Sequence, residues 1–251
     1  MSAPFAGADI IILGEVHDNP QHHINQARIV SQLQPSALVF EMITPTLARQ
    51  VTPDVRENAI RLEATLAWEG SGWPDFSMYY PIFAAATEAA IFGGAMDREQ
   101  VRRAMSDGAA AAFGDAAPLF GLTADVPEAQ LEQRLQLQQD AHCGALPEEM
   151  LPGMVEAQRV RDAALARAAV AAYAHAQATD RGPVVVITGN GHAREDWGMP
   201  AALRAYFAGR DEVDIRTLAQ FETSVDGDLP VTTTLVTEPA ERDDPCKAFA
   251  K

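Results

Sequence analysis

Three short runs of apolar, largely β-branched residues constrain this chain more than anything else in it. Asp9-Ile10-Ile11-Ile12-Leu13 stops at Gly14, Ala37-Leu38-Val39-Phe40 stops at Glu41, and Pro183-Val184-Val185-Val186-Ile187 runs into Thr188-Gly189-Asn190-Gly191-His192. None of the three alternates with polar residues. A strand apolar on both faces needs cover on both faces, which is the pattern of a parallel sheet between layers of helix. Between the first two runs, Asn19-Pro20 supplies an N-cap and a first-turn proline, Ile24, Ala27, Val30 and Leu33 recur near one face, and Pro35-Ser36 ends the helix. The segment is a β-α-β unit, whose strands run parallel. Further strands are expected at 213–218 and 231–236.

From 45 to 147 no comparable strand is seen. Helical patterning is expected over 56–68, 80–92, 98–105 and 128–139, with an ambiguous Ala/Gly-rich stretch at 108–125. A long helix over 150–177 then returns the chain to the sheet, and a short one is expected at 200–207. The reading is an α/β protein: a mainly parallel sheet flanked by helices, formed by 1–50 and 146–251, with a smaller helical insertion at 51–145. The tail after Pro239 is polar and expected to be loose.

Charge removes some classes of function. Nineteen Lys and Arg against 35 Asp and Glu give a net charge of −16 over 251 residues. A chain this acidic is repelled by phosphate backbones and by anionic membrane surfaces, so nucleic acid is not an expected partner. No apolar run is long enough to span a bilayer. The hydrophobic fraction of 47% is ample for an ordinary core. Nearly all positive charge is arginine, Lys247 and Lys251 being the two lysines, so the body of the fold holds no catalytic lysine. Cys143 and Cys246 form neither a CxxC nor a zinc spacing; they can be disulfide partners, but without a secretory context two free thiols are the expectation. The stretch after Met1 has neither a basic region nor an apolar one of the secretory type. As written the chain reads as cytoplasmic, but these residues leave its location open.

In open parallel sheets ligands bind beyond the carboxyl ends of the strands. The first strand delivers Glu15, His17 and Asp18 there, the second Glu41, and the third Asn190, His192 and Arg194. Several chemistries are open to such a set. His17 or His192 can act as a general base oriented by Glu15 or Glu41 in a hydrolase. Histidine and carboxylate together also suit a divalent metal, although His17 and His22 do not form HExxH. Glu15 and Glu41 can equally be structural ion-pair partners of Arg194, and His22 and His23 can be a solvated helix terminus. No GxSxG elbow, P-loop or GxGxxG is present, which argues against a serine nucleophile and against a nucleotide cofactor. In the middle of the chain, Trp73-Pro74-Asp75-Phe76-Ser77-Met78-Tyr79-Tyr80-Pro81 holds two of the four tyrosines. Tyrosine is a known axial ligand of haem, and the alternative is that these aromatics pack the insertion onto the sheet.

Five segments together resemble the ChaN-like haem-binding proteins of the wider Tiki/erythromycin-esterase superfamily. They are Leu13-Gly14-Glu15-Val16-His17-Asp18-Asn19-Pro20 with His22-His23; Phe40-Glu41-Met42; Trp73-Pro74 with Tyr79 and Pro81; Met154-Val155-Glu156-Ala157-Gln158-Arg159-Val160-Arg161-Asp162; and Thr188-Gly189-Asn190-Gly191-His192-Ala193-Arg194. The resemblance implies a parallel-sheet domain with a smaller helical domain and binding of haem, often by a homodimer, in iron or haem acquisition. It favours a non-enzymatic role. It implies iron held through a tyrosine: Tyr79 first, with Tyr80 and Tyr173 as alternates. His17, His22, His192 and Arg194 are then expected to line the pocket or hold propionates. Such proteins are commonly lipoproteins exported to the periplasm or outer membrane, whereas no lipobox cysteine stands near Met1. The superfamily also includes hydrolases built on the equivalent Glu-x-His loop, so a hydrolase using Glu15, His17, Glu41 and His192, with or without a divalent metal, is the alternative.

Overall fold

In the computed structural model, residues 2–179, 181–225, 227, 229–244 and 246–247 are described. Six strands, β1 (Ile10–Glu15), β2 (Ala37–Phe40), β3 (Ala90–Gly93), β4 (Val184–Gly189), β5 (Ile215–Phe221) and β6 (Thr233–Val236), form one sheet in the order β3-β2-β4-β1-β5-β6. Every pairing is parallel. The chain steps outward from β1 to β2 and β3, returns to insert β4 between β2 and β1, and then continues on the other side through β5 and β6. The order reverses at β4 and β1, so the crevice where such sheets bind ligands lies over the ends of these two strands.

The apolar runs behave as their lack of alternation requires. Ile10, Ile11, Ile12 and Leu13 are all fully buried, as are Val184 to Ile187. Ile10, Ile12, Val39, Val184 and Val186 pack under α5 (Leu151–Thr179), whose alanines 163, 166, 169 and 172 let the helix lie close to the sheet. Ile11, Leu13, Leu38, Phe40, Val185 and Ile187 face α1 (Pro20–Leu33) and α2 (Phe76–Ala85) on the other side. Each fully buried Ile, Leu or Val contributes about 1.5–3 kcal/mol relative to exposure. The remaining helices of nine or more residues among the described ones are α3 (Arg98–Asp107), α4 (Glu128–Ala141) and α6 (Met199–Phe207).

Three expectations need correction. The segment from 45 to 147 does contain a strand: the helix expected over 80–92 ends at Ala85, and β3 pairs with β2 from Ala37↔Ala90 to Phe40↔Gly93. The turn between them is held by buried Arg56, whose guanidinium donates to the carbonyls of Ala86, Thr87 and Ala89 at 2.7–2.8 Å. A four-residue apolar strand following an alanine-rich helix has no period of its own, which is why the two merged in the reading. The two cysteines are not free thiols; Cys143 and Cys246 form a disulfide with Cα atoms 5.6 Å apart. The tail after Pro239 is not loose where it is described, because Arg242 bridges Asp18 and Glu222 and the Ala240 N–H donates to Glu222 at 2.9 Å.

Candidate functional site

The register of the sheet assembles the site. Glu15 ends β1 opposite Gly189 of β4, and Glu41 follows β2 beside Thr188. Glu41 Oε2 accepts from the Thr188 hydroxyl at 2.7 Å and from the Gly189 N–H at 2.8 Å. His17 sits over the junction, its Nε2 4.0 Å from Glu41 Oε2. Gly189 is needed there, because a Cβ at that position would lie 2.7 Å from His17 Nε2.

Glu15 is the buried pivot. Its Oε1 accepts from His17 Nδ1 at 2.8 Å and from the Tyr79 hydroxyl at 2.9 Å. Its Oε2 lies 3.4 Å from His23 Nδ1, and His23 Nε2 in turn donates to the His17 carbonyl at 2.8 Å. The acceptor-only carboxylate fixes the His17 tautomer: the proton is on Nδ1 and Nε2 carries the free lone pair. Burial opposes charge on His17, but the Glu15 hydrogen bond and the charges of Glu41 and Glu15 outweigh it, so its pKa is raised. For Tyr79, burial and the neighbouring Glu15 carboxylate both push the phenol upward, far from ionisation.

Behind Glu41, His192 is buried between two carboxylates. Its Nδ1 donates to Asp162 Oδ1 at 2.6 Å, and its Nε2 is 3.4 Å from Glu41 Oε1. Burial alone would discharge the ring, but Glu41 and Asp162 overcome it and its pKa is pushed up to about 10. The same pairing holds Glu41 well below the usual carboxylate range in spite of its burial. Burial dominates at Asp162 and raises it. His192 is therefore a fixed cation near neutral pH and not a proton acceptor. Among the described residues no three His, Cys, Asp or Glu side chains are grouped as a metal site would require.

The sequence-derived candidates separate into three sets. Glu15, His17, Glu41 and His192 come together and line a cleft of about 1130 Å³. Tyr79 is adjacent but fully buried beneath Glu15, and it does not line the cleft. The others lie elsewhere. His22 is buried and used on both nitrogens: Nδ1 accepts from the Val16 N–H and Nε2 donates to the Thr237 hydroxyl, both at 2.9 Å. Tyr80 donates to the Glu57 carbonyl. Tyr173 packs on Phe207 and lines a cavity with Phe5 and Gly182, at the opposite end of the strands. Arg194 pairs with Asp196, not with Glu15 or Glu41, and stacks over Trp197 at 3.8 Å.

Five residues that matter in this arrangement carried no role in the sequence reading. Asp162 anchors His192, and its i−4 neighbour Gln158 touches the same ring at 3.0 Å; that spacing on α5 was a visible signal, since i and i+4 share a helix face. Arg98 and Arg102, one turn apart on α3, line the cleft together with Arg161 of α5. None of these three arginines has a hydrogen-bonding or ion-pair partner among the described residues. Among the described residues, seven of the other fourteen arginines (Arg61, Arg103, Arg159, Arg194, Arg204, Arg216 and Arg242) are paired with carboxylates. Met42, Leu47, Leu66, Trp73, Met96 and Leu165 give the cleft its apolar walls, and Trp73 lies edge-on to His17 with ring centroids 4.9 Å apart.

A family described as haem-binding uptake, Tiki superfamily, ChaN, matches residues 1–203. The chain belongs to this ChaN family. The solved structure of ChaN from Campylobacter jejuni, described as binding haem cofacially, is 20% identical over 90% of this chain and 86% of that one, with a TM-score of 0.69. At that identity the likeness shows the fold. The type III effector HopBA1 (13% identity, 92% and 88% coverage, TM-score 0.44) and a Bacillus cereus protein (15%, 97% and 73%, TM-score 0.35) are more distant. No curated protein matches the chain. Among the described residues, no helix is long and apolar enough to cross a membrane.

Proposed function

We propose that this chain binds haem in the cleft over β1, β2 and β4, with Arg98, Arg102 and Arg161 taking the propionates and His17 presented to the iron. The observation that carries this is the set of three unpartnered arginines around one cleft with an apolar wall of Met42, Leu47, Leu66, Trp73, Met96 and Leu165, in a chain where acids outnumber bases 35 to 19. An amphiphilic dianion with a flat apolar body is the ligand class that such a lining fits. Membership of the ChaN family supports the same ligand. The donor set fits as well. A metal-ligating histidine usually gives its other ring N–H to a carboxylate, and His17 gives Nδ1–H to Glu15 and keeps Nε2. The tyrosine ligand expected from the resemblance has less support, because Tyr79 is buried, protonated and committed to Glu15.

Titration of the purified haem-free chain with hemin tests this. A saturable Soret shift is expected. The combined Arg98→Ala, Arg102→Ala and Arg161→Ala variant is expected to weaken binding by about tenfold or more, with the loss shrinking at high salt. Absence of saturation, or identical affinity in the triple variant, contradicts the assignment.

A hydrolytic role draws on one observation, the pairing of ionised Glu41 with His17 and His192 at the strand ends. Only His17 is placed to accept a proton, since His192 holds its own. Ester and peptide turnover lost in His17→Ala would favour that role over haem carriage. The Cys143–Cys246 disulfide supports residence in an oxidising compartment rather than the cytoplasm. Thiol labelling of the protein in its native cell, without prior reduction, should leave both cysteines unmodified.

A further inference from the structure

His23, which the sequence allows at a solvated helix terminus, has its side chain fully buried in the first turn of α1. Past Leu13, β1 has no further register with β5, and the backbone groups that follow are met by side chains instead. Gln220 donates to the Gly14 carbonyl at 2.9 Å, His22 accepts from the Val16 N–H, and His23 donates to the His17 carbonyl at 2.8 Å. A carbonyl only accepts, so the His23 ring carries a proton on Nε2. Of these three side chains, His23 is the one that also meets the carboxylate on which the His17 ring depends. Its Nδ1 lies 3.4 Å from Glu15 Oε2, and neither atom has a hydrogen bond to any other described residue. Its ring packs on Tyr79 with centroids 4.3 Å apart, and the Tyr79 hydroxyl holds the other oxygen of the same carboxylate. His23 thus acts on His17 twice, at the backbone directly and at the ring through Glu15. The His17 side chain is itself 34% exposed, on a loop outside the sheet. A ring so placed keeps several rotamers unless its backbone and its hydrogen-bond partner are both fixed, and a site is only as precise as the residues that lock its working group.

We propose that His23 is a positioning residue for His17: by holding the His17 carbonyl and backing Glu15, it fixes where Nε2 points in the cleft. The inference rests on the proposed role of His17, and it holds whether Nε2 meets iron or accepts a proton.

Nitrogen-15 NMR of the histidine rings in the haem-free full chain tests this without a ligand, and hemin titration follows. In the wild type, His23 should be protonated on Nε2, and His17 should show a slowly exchanging Nδ1–H. His23→Leu keeps the bulk and removes the donor. The His17 Nδ1–H signal should broaden away, the Soret band should move, and hemin should bind about tenfold or more weaker. His23→Gln places an amide nitrogen within reach of the same carbonyl. It should restore the signal and bring affinity to within about threefold of the wild type. Val184→Ala, at the far end of β4 from Gly189, opens a cavity and lowers stability but should move neither readout, which separates positioning from a general loss of structure. A His23 ring unprotonated at Nε2 in the wild type overturns the proposal, and that result needs no variant to fold. So does a sharp His17 Nδ1–H signal in His23→Leu, a glutamine variant no better than the leucine one, or an equal loss in Val184→Ala. If the ring signals behave as expected but the wild type takes up no hemin, the haem assignment fails and the positioning role stands.

Discussion

The Tyr79 hydroxyl donates to Glu15 Oε1 at 2.9 Å, on the same oxygen that receives the His17 Nδ1–H. A tyrosine that stands in the family's motif thus reaches the cleft only through the carboxylate that orients a histidine. Tyr79→Phe removes one buried hydrogen bond to a charged acceptor, and about 1.5–3 kcal/mol of stability should be lost. The Soret maximum of the hemin complex should stay where it is in the wild type. Thermal unfolding and hemin spectra of this one variant check both statements, and a changed Soret maximum would make Tyr79 a ligand after all.

Gly189 separates folding from site geometry. Its backbone, at φ −67° and ψ 153°, is open to any residue, so alanine there meets no conformational barrier. The obstacle is His17, whose Nε2 would lie 2.7 Å from the new Cβ. Gly189→Ala should therefore displace the imidazole and weaken hemin binding about tenfold, with the unfolding midpoint changed by only a few degrees. Isothermal titration beside a thermal melt measures both, and wild-type affinity in this variant would show that His17 does not meet the ligand.

The His192 network predicts a direction for stability against pH. With a folded pKa of about 10 and an ordinary unfolded value near 6.5, His192 stabilises the fold fully below about pH 6.5. That contribution is lost progressively as pH rises from there through about 10. His192→Gln leaves Glu41 and Asp162 without their cation and should cost about 3–5 kcal/mol near neutrality. The deficit relative to wild type should narrow toward pH 10. Urea unfolding of both proteins from pH 6 to pH 10 checks this; a constant gap would mean that His192 does not carry the charge.

Most of what positions the site was legible in the sequence, for a physical reason. Apolar runs such as Ile10-Ile11-Ile12-Leu13 have no polar face to offer solvent, so β1, β2 and β4 could only be interior parallel strands, and their polar ends had to meet. Glu15, His17, Glu41 and His192 were found on that argument. The rest depended on distances no local pattern encodes. Ala90–Gly93 looks helical until Ala37–Phe40 is beside it. Cys143 and Cys246 are 103 residues apart, with nothing local to pair them. The arginines of the cleft look like any solvated helix face until Arg98, Arg102 and Arg161 are seen to converge on one cleft. Tyr79 was noticed for its type, but burial and the charge of Glu15 decide what its phenol does.

The central claim is that His17 meets the haem iron, and hemin titration of His17→Ala across pH is its most direct measurement. In the wild type, affinity should fall as pH drops through the raised His17 pKa, because protonated Nε2 has no lone pair to offer. In His17→Ala the Soret maximum should shift, affinity should drop by about tenfold or more and lose that pH dependence, and added imidazole should restore the wild-type spectrum. An unchanged spectrum and affinity in His17→Ala, with no response to imidazole, would contradict the account.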